Sequence, residues 1–205
     1  MTNNNSHFEK LSSEITYEIY PYLIKDLKEA YKESFTGKDI LEIGVGPGHL
    51  FEQVIKENFN KSIGIDISED MLERAKKRCS KYNNHELLLA SADSIPFADE
   101  SFDIVLSRGS VFFWKNLNSC FNEIYRIMKK DGLAFIGGGY GLTTPENIIA
   151  KINDYYKNKT TKKDKPKIDP FECKEIMNSI GGNCEVLLKK GHGFWLRWQK
   201  KALRA

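Results

Sequence analysis

Few residues of this sequence combine reactive chemistry with a telling spacing. They are the run Glu42-Ile43-Gly44-Val45-Gly46-Pro47-Gly48, the acids Asp66 and Asp93 downstream of it, and Arg108, the strong cation that follows. Gly44 and Gly46 tolerate φ > 0 and carry no side chain, so a turn built on them brings backbone close to a ligand and turns helix N-terminal amides toward a polar or anionic group. An acid about twenty residues beyond such a turn offers only acceptors, which suits the two donors of a ribose diol. Together these residues describe recognition of a nucleotide-type cofactor.

Such residues can act together only if strands and helices carry them to one edge. Residues 39–43 form an apolar run, and Leu50, Phe51, Val54 and Ile55 follow at helical spacing, so the stretch reads as strand, turn and helix. Residues 62–66 form a second strand ending in Asp66, and Ser68 caps the helix opened by Glu69, Asp70, Met71 and Leu72. Asp66 could itself cap that helix, but Ser68 stands in the better position. A third strand over 86–90 runs into the turn Ser91-Ala92-Asp93-Ser94-Ile95-Pro96-Phe97, and a fourth spans 101–107. A helix is predicted over 118–130, with Leu117, Phe121, Ile124 and Met128 on one face, lysines opposing its dipole in the last turn, and Asp131-Gly132 as C-cap. A fifth strand over 133–136 enters Gly137-Gly138-Gly139, a bare backbone open to a substrate or to a tight crossing.

The glycine spacing discriminates among cofactors. A dinucleotide turn reads G-x-G-x-x-G, whereas here the pattern is G-x-G-x-G and His49 stands where a third glycine would fall. With the acid at Asp66, the "SIPF" turn after Asp93 and the helix "FNEIYRIMKKDG", the chain resembles the class I S-adenosylmethionine-dependent methyltransferases, of the methyltransferase type 11, ubiquinone-menaquinone methyltransferase-like kind. The resemblance implies an α/β fold with a Rossmann-like, doubly wound, seven-stranded and mostly parallel sheet carrying an antiparallel C-terminal strand. It implies S-adenosylmethionine as cofactor and S-adenosylhomocysteine as product. Asp66 then takes the ribose, Asp93 the adenine amino group, and Met71 lies under the adenine, although a methionine on an amphipathic helix also suits the core. Glu42, Gly44, Gly46, Gly48, Ile67, Ser94 and Ser107 complete the implied cofactor set. Beyond the fourth strand, Ser107-Arg108-Gly109-Ser110-Val111-Phe112-Phe113-Trp114 lacks the Asn/Asp-Pro-Pro-aromatic sequence of enzymes that methylate exocyclic base amines. With Ile136-Gly137-Gly138-Gly139 it looks like a poorly characterised subgroup. Arg108, Ser110, Trp114 and Tyr20 are the candidate acceptor contacts, and His49, Tyr20, Tyr140 and His192 the candidate bases.

The remaining chain frames this core. At 205 residues, with 40% hydrophobic residues and a net charge of +3, a single domain over 1–205 is expected, with no demand for an acidic partner. Residues 1–36 read as a helical lid broken at Tyr20-Pro21, with Tyr17, Tyr20 and Tyr22 either lining a pocket or packing on the sheet. The cofactor core follows over 37–139, then a helical insertion over 140–182 and a hairpin over 183–200 in which His192 sits between two glycines. The lysine-rich stretch 157–167 reads as a solvated loop, with RNA phosphate binding as its alternative. Cys79, Cys120, Cys173 and Cys184 form no C-x-x-C pair and are expected to be reduced, buried thiols, with no metal site. Neither a leader nor a membrane span is expected, so the reading is cytoplasmic, with the oligomeric state open. The function implied is methyl transfer to a small-molecule acceptor. RNA or protein methylation and a non-catalytic cofactor-binding regulatory module are the alternatives.

Overall fold

A computed structural model of the chain describes residues 16–157 and 167–201. Five strands, β1 (Asp39–Ile43), β2 (Lys61–Asp66), β3 (His85–Leu89), β4 (Phe102–Arg108) and β5 (Met128–Gly139), run parallel. The chain then closes with β6 (Asn183–Lys189) and β7 (Gly193–Gln199), and β7 inserts antiparallel between β5 and β6. The sheet order β3-β2-β1-β4-β5-β7-β6 reverses at β1, between β2 and β4. That reversal is the switch point at which ligands of open parallel sheets bind, beyond the carboxyl ends of the strands.

Among the described residues six α-helices cover the sheet: α1 (Tyr20–Tyr31), α2 (His49–Val54), α3 (Glu69–Cys79), α4 (Leu117–Ile127), α5 (Glu146–Lys157) and α6 (Pro170–Ile180). Alternate strand residues face opposite layers. Ile40, Ile104, Leu133, Phe135 and Trp195 join α1, α2 and α3 in one core, while Leu41, Val105, Ala134, Ile136 and Trp198 join α4 and α6 in the other. The same alternation sets Glu42 and Arg108 on the α1 side of the sheet. All four cysteines are buried and free. Among the described residues no helix is long and apolar enough to cross a membrane.

Several expected boundaries hold for local reasons. Ser68 caps α3 by accepting from the Met71 amide, and Asp169 caps α6 by accepting from the Phe171 amide. At Tyr20-Pro21 a 3-10 turn (Thr16–Ile19) gives way to α1, with proline at the start where its missing N–H costs nothing.

The helix expected over 118–130 ends earlier, at Ile127. Met128 is already extended (φ −69°, ψ 133°) and pairs with Phe102, so Asp131-Gly132 lies inside β5 and is no C-cap. Lys129 therefore opposes no helix dipole and instead bridges Asp39 (2.7 Å) and Asp103 (2.8 Å) at the amino ends of β1 and β4. Nor are Gly137 and Gly138 open to a ligand. A Cβ on Gly137 would meet the Phe194 carbonyl of β7 at 2.2 Å, and one on Gly138 would meet the Phe112 ring at 2.4 Å. Most of the lysine-rich loop lies outside the described residues, as do residues 1–15 of the expected lid.

The α1 helix is pinned across the carboxyl edge. Buried Asp26 accepts from the Thr143 amide at 3.0 Å, which ties α1 to the β5–α5 connection; burial pushes the Asp26 carboxyl up and the Thr143 hydrogen bonds draw it back.

Candidate functional site

The glycine turn closes differently from a phosphate cradle. The Gly44 and Val45 amides donate to the Ile65 carbonyl (2.8 and 3.1 Å), and the Gly46 amide donates to the Asp66 carboxylate at 2.8 Å. The amides of the turn itself are thus committed to β2, and the acid at the end of that strand takes the one from Gly46. Asp66 also accepts from the Ser68 amide at 3.0 Å. A carboxylate has roughly four acceptor positions, so about two remain, and the residue is partly exposed. Gly44 is required twice over: its φ is +74°, and a Cβ there would lie 2.3 Å from that of Ser110.

Ser110 seals this contact from the β4 side. Its hydroxyl donates to the Ile43 carbonyl (3.1 Å) and so accepts from Ser107 (2.6 Å). Ser107 is fully buried and reaches no surface. The pair therefore knits the ends of β1 and β4 together. Arg78 braces the turn from α3 by donating to the Pro47 carbonyl at 2.9 Å.

Around the turn lie groups the protein does not itself satisfy. Glu42 is 2% exposed and its Oε2 has no hydrogen-bond partner. Burial pushes its carboxyl well above the ordinary range, Arg108 draws it down and Asp66 pushes it up again. Past Asp66, Ile67 is 73% exposed, an apolar side chain in water beside a carboxylate with acceptor capacity to spare. Met71 is half-buried near the start of α3. Asp93 and Ser94 are exposed in the turn after β3, where Asp93 accepts from the Ser91 hydroxyl. An orphaned buried acid, free acceptor positions and a bare apolar residue fit a cofactor with a cationic part, a ribose and a flat base.

On the α1 side, the Arg108 guanidinium donates through Nε (3.2 Å) and Nη2 (3.0 Å) to the Gly139 carbonyl and lies 5.4 Å from the Tyr20 ring centre. Tyr20 in turn stacks on His49 at 5.9 Å. Tyr140 donates from its hydroxyl to Asn153 of α5 at 2.9 Å. Burial raises the Tyr140 phenol, with Tyr156 adding to the rise and Arg108 opposing it; burial likewise raises the Tyr156 phenol against Arg108. Tyr156 lies in the helical insertion, where its spacing signals only a packed helix face, so no local pattern singles it out. Trp114 joins none of these: it packs edge-on to Phe121 at 5.9 Å on the opposite side of the sheet. His192 is fully buried, with Nδ1 2.8 Å from the Gly141 carbonyl and Nε2 3.0 Å from the Glu146 carboxylate, so it fastens the β5–α5 connection to the hairpin.

Comparison with known proteins places the fold in a family. A methyltransferase domain family matches residues 41–136, the stretch from β1 into β5. The uncharacterised protein MJ1123 of Methanocaldococcus jannaschii is 30% identical over 154 residues, which are 75% of this chain and 68% of MJ1123. A crystal structure from Methanococcus maripaludis, provisionally described as an S-adenosyl-L-methionine-dependent methyltransferase, superposes with a TM-score of 0.80 at 26% identity, covering 98% of this chain and 93% of that one. The chain belongs to the class I S-adenosylmethionine-dependent methyltransferases. Within that family, the demethylmenaquinone methyltransferase of Chlorobaculum parvum is 35% identical over 97 residues, 47% of this methyltransferase but only 39% of the relative's own length. That match thus spans less than half of either protein.

Proposed function

We propose that this methyltransferase carries the methyl group of S-adenosylmethionine to a small-molecule acceptor bound between α1 and α5. The observation behind this is the position of Arg108, Tyr20, Tyr140 and Tyr156, which crowd one side of the carboxyl edge under two helices rather than lining an open basic surface. The name of the Chlorobaculum parvum relative, a demethylmenaquinone methyltransferase, is consistent with a small acceptor.

In this reading the two remaining acceptor positions of Asp66 take the ribose hydroxyls, Ile67 and Met71 cover the base, Asp93 and Ser94 meet its edge, and Glu42 faces the cationic end. Bound there, the cofactor would supply a methyl group on a sulfonium, open to in-line displacement. The protein's own contribution is orientation and exclusion of water, and well-aligned partners reach effective molarities of ~10⁵ to 10⁸ M. No side chain need act as a strong base. The raised Tyr140 and Tyr156 phenols stay protonated near neutral pH, where they can donate a hydrogen bond but take no proton. His192 is fastened at both nitrogens, which leaves it a scaffold role.

The test is incubation with methyl-labelled S-adenosylmethionine and host extract, followed by separation of small molecules, RNA and protein. Label among small molecules is the expected result. Label confined to RNA or protein would overturn the acceptor class, and none in any fraction would favour a regulatory module.

A further inference from the structure

We propose that Arg108 is the anchor for an anionic group, a carboxylate or phosphate, on the acceptor. The proposal rests on the acceptor reading above and gives it a chemical class.

The first support is the way the guanidinium is held. Nε and Nη2 donate to one carbonyl, that of Gly139, which fixes the plane of the group, while the Tyr20 ring stands 5.4 Å away. Nη1 is left without a protein acceptor among the described residues. An arginine fixed on one side and open on the other is a preorganised fork for an oxyanion.

The second support is that no acid among the described residues forms an ion pair with it. The acidic group coupled to Arg108, Glu42, is buried and kept toward its neutral form, and no ion pair joins Arg108 to Glu42 or Asp66 among the described residues. The surrounding hydroxyls, those of Tyr140 and Tyr156, are also held neutral. A positive charge without an ion pair among the described residues therefore stands at the carboxyl edge, beside phenol rings suited to a planar group.

The third support is direction. In the proposed reading ribose recognition falls to Asp66 on β2 and the glycine turn follows β1, whereas Arg108 leaves β4 and spends two of its donors on Gly139 at the end of β5. Gly139 leads into the connection to α5, which also carries Tyr156, so the acceptor is the partner proposed, and the experiment below separates it from the carboxylate of the cofactor.

The experiment compares the parent with Arg108→Met and Arg108→Lys, each first checked by thermal melting. S-adenosylhomocysteine and methylthioadenosine, which lacks the amino-acid end, are titrated calorimetrically. Sodium benzoate, with benzyl alcohol as its neutral counterpart, is then titrated into the S-adenosylhomocysteine complex. Expected are near-parent affinities for both nucleosides, and benzoate binding that falls about 10- to 100-fold in Arg108→Met, as loss of a charged hydrogen bond implies. Arg108→Lys, which keeps the charge without the fork, should fall less. Benzoate binding that is absent in the parent, equal in Arg108→Met, or no better than that of benzyl alcohol overturns the proposal. Weakened S-adenosylhomocysteine with unchanged methylthioadenosine also overturns it, because Arg108 would then hold the cofactor's own carboxylate. If the parent bound neither nucleoside, the cofactor reading itself would fail, while benzoate titrated into the empty protein would still judge Arg108.

Discussion

Replacing Asp66 tests two roles at once. Its carboxylate accepts from the Gly46 amide at 2.8 Å and the Ser68 amide at 3.0 Å, so in the empty protein it already holds the glycine turn against the start of α3. Charged hydrogen bonds contribute about 1.5 to 3 kcal/mol each when well buried. Both amides are only partly buried and water can replace the carboxylate, so about 1 kcal/mol per bond is the fair figure for Asp66→Ala, or about 2 kcal/mol in all. For a chain of this length that corresponds to a fall of roughly 4 to 8 °C in melting temperature. Cofactor binding should suffer in addition, by about 10- to 100-fold, because the remaining acceptor positions are lost as well. Asp66→Asn separates the two effects: its Oδ1 can still serve one amide, but its NH₂ faces the other donor to donor. It should melt between the parent and Asp66→Ala. Thermal melting without ligand and calorimetry with S-adenosylhomocysteine measure both. Asp66→Ala that melts within about 1 °C of the parent would refute the clamp, and unchanged S-adenosylhomocysteine affinity would refute the ribose role.

Glu42→Gln should remove a pH dependence. Because burial raises the folded carboxyl above its ordinary value of 4.5, the group's contribution to stability is complete below that pH and is lost as pH climbs through the folded value. The variant should therefore gain on the parent as pH rises from about 4.5 toward neutrality, in urea melts at several pH values; a constant difference between the two would count against it. Gly44→Ala should destabilise by about 1 to 3 kcal/mol through overpacking on Ser110. Adding Ser110→Gly should recover the steric part but not the cost of positive φ, so complete recovery or none in denaturant unfolding would contradict the packing argument. Lys129→Met strands Asp39 and Asp103 without their shared cation and should cost about 1 to 3 kcal/mol near neutral pH. The Asp39 carboxyl, which burial alone would raise, is held low by Lys129 and Asn60, so the cost should shrink as pH falls through the carboxylate range. A cost that does not change with pH would argue against this pairing.

What the sequence determined is what local chemistry determines. Alternating apolar strands and amphipathic helices force an α/β sheet, the oxygens of Ser68 and Asp169 start helices because they sit beside free amides, and Pro21 marks the start of α1 because it lacks an N–H. The G-x-G-x-G spacing and the acid at Asp66 carry the family resemblance for the same reason, since both lie along one short stretch of chain. Tertiary structure decided which partner each group meets. The Gly46 amide could have faced an anion, but the end of β2 lies closer, so Asp66 takes it. By sequence Gly137 and Gly138 leave room for a substrate, and the backbone of β7 and the Phe112 ring occupy that space instead. Met128 fits a helix face by spacing, yet pairing with Phe102 draws it into β5 and sends Lys129 to two distant acids. Arg108, Tyr140 and Tyr156 are far apart in the chain and share no period. They come together only because α5 folds back over the carboxyl edge, and that long-range contact is what no local pattern encodes.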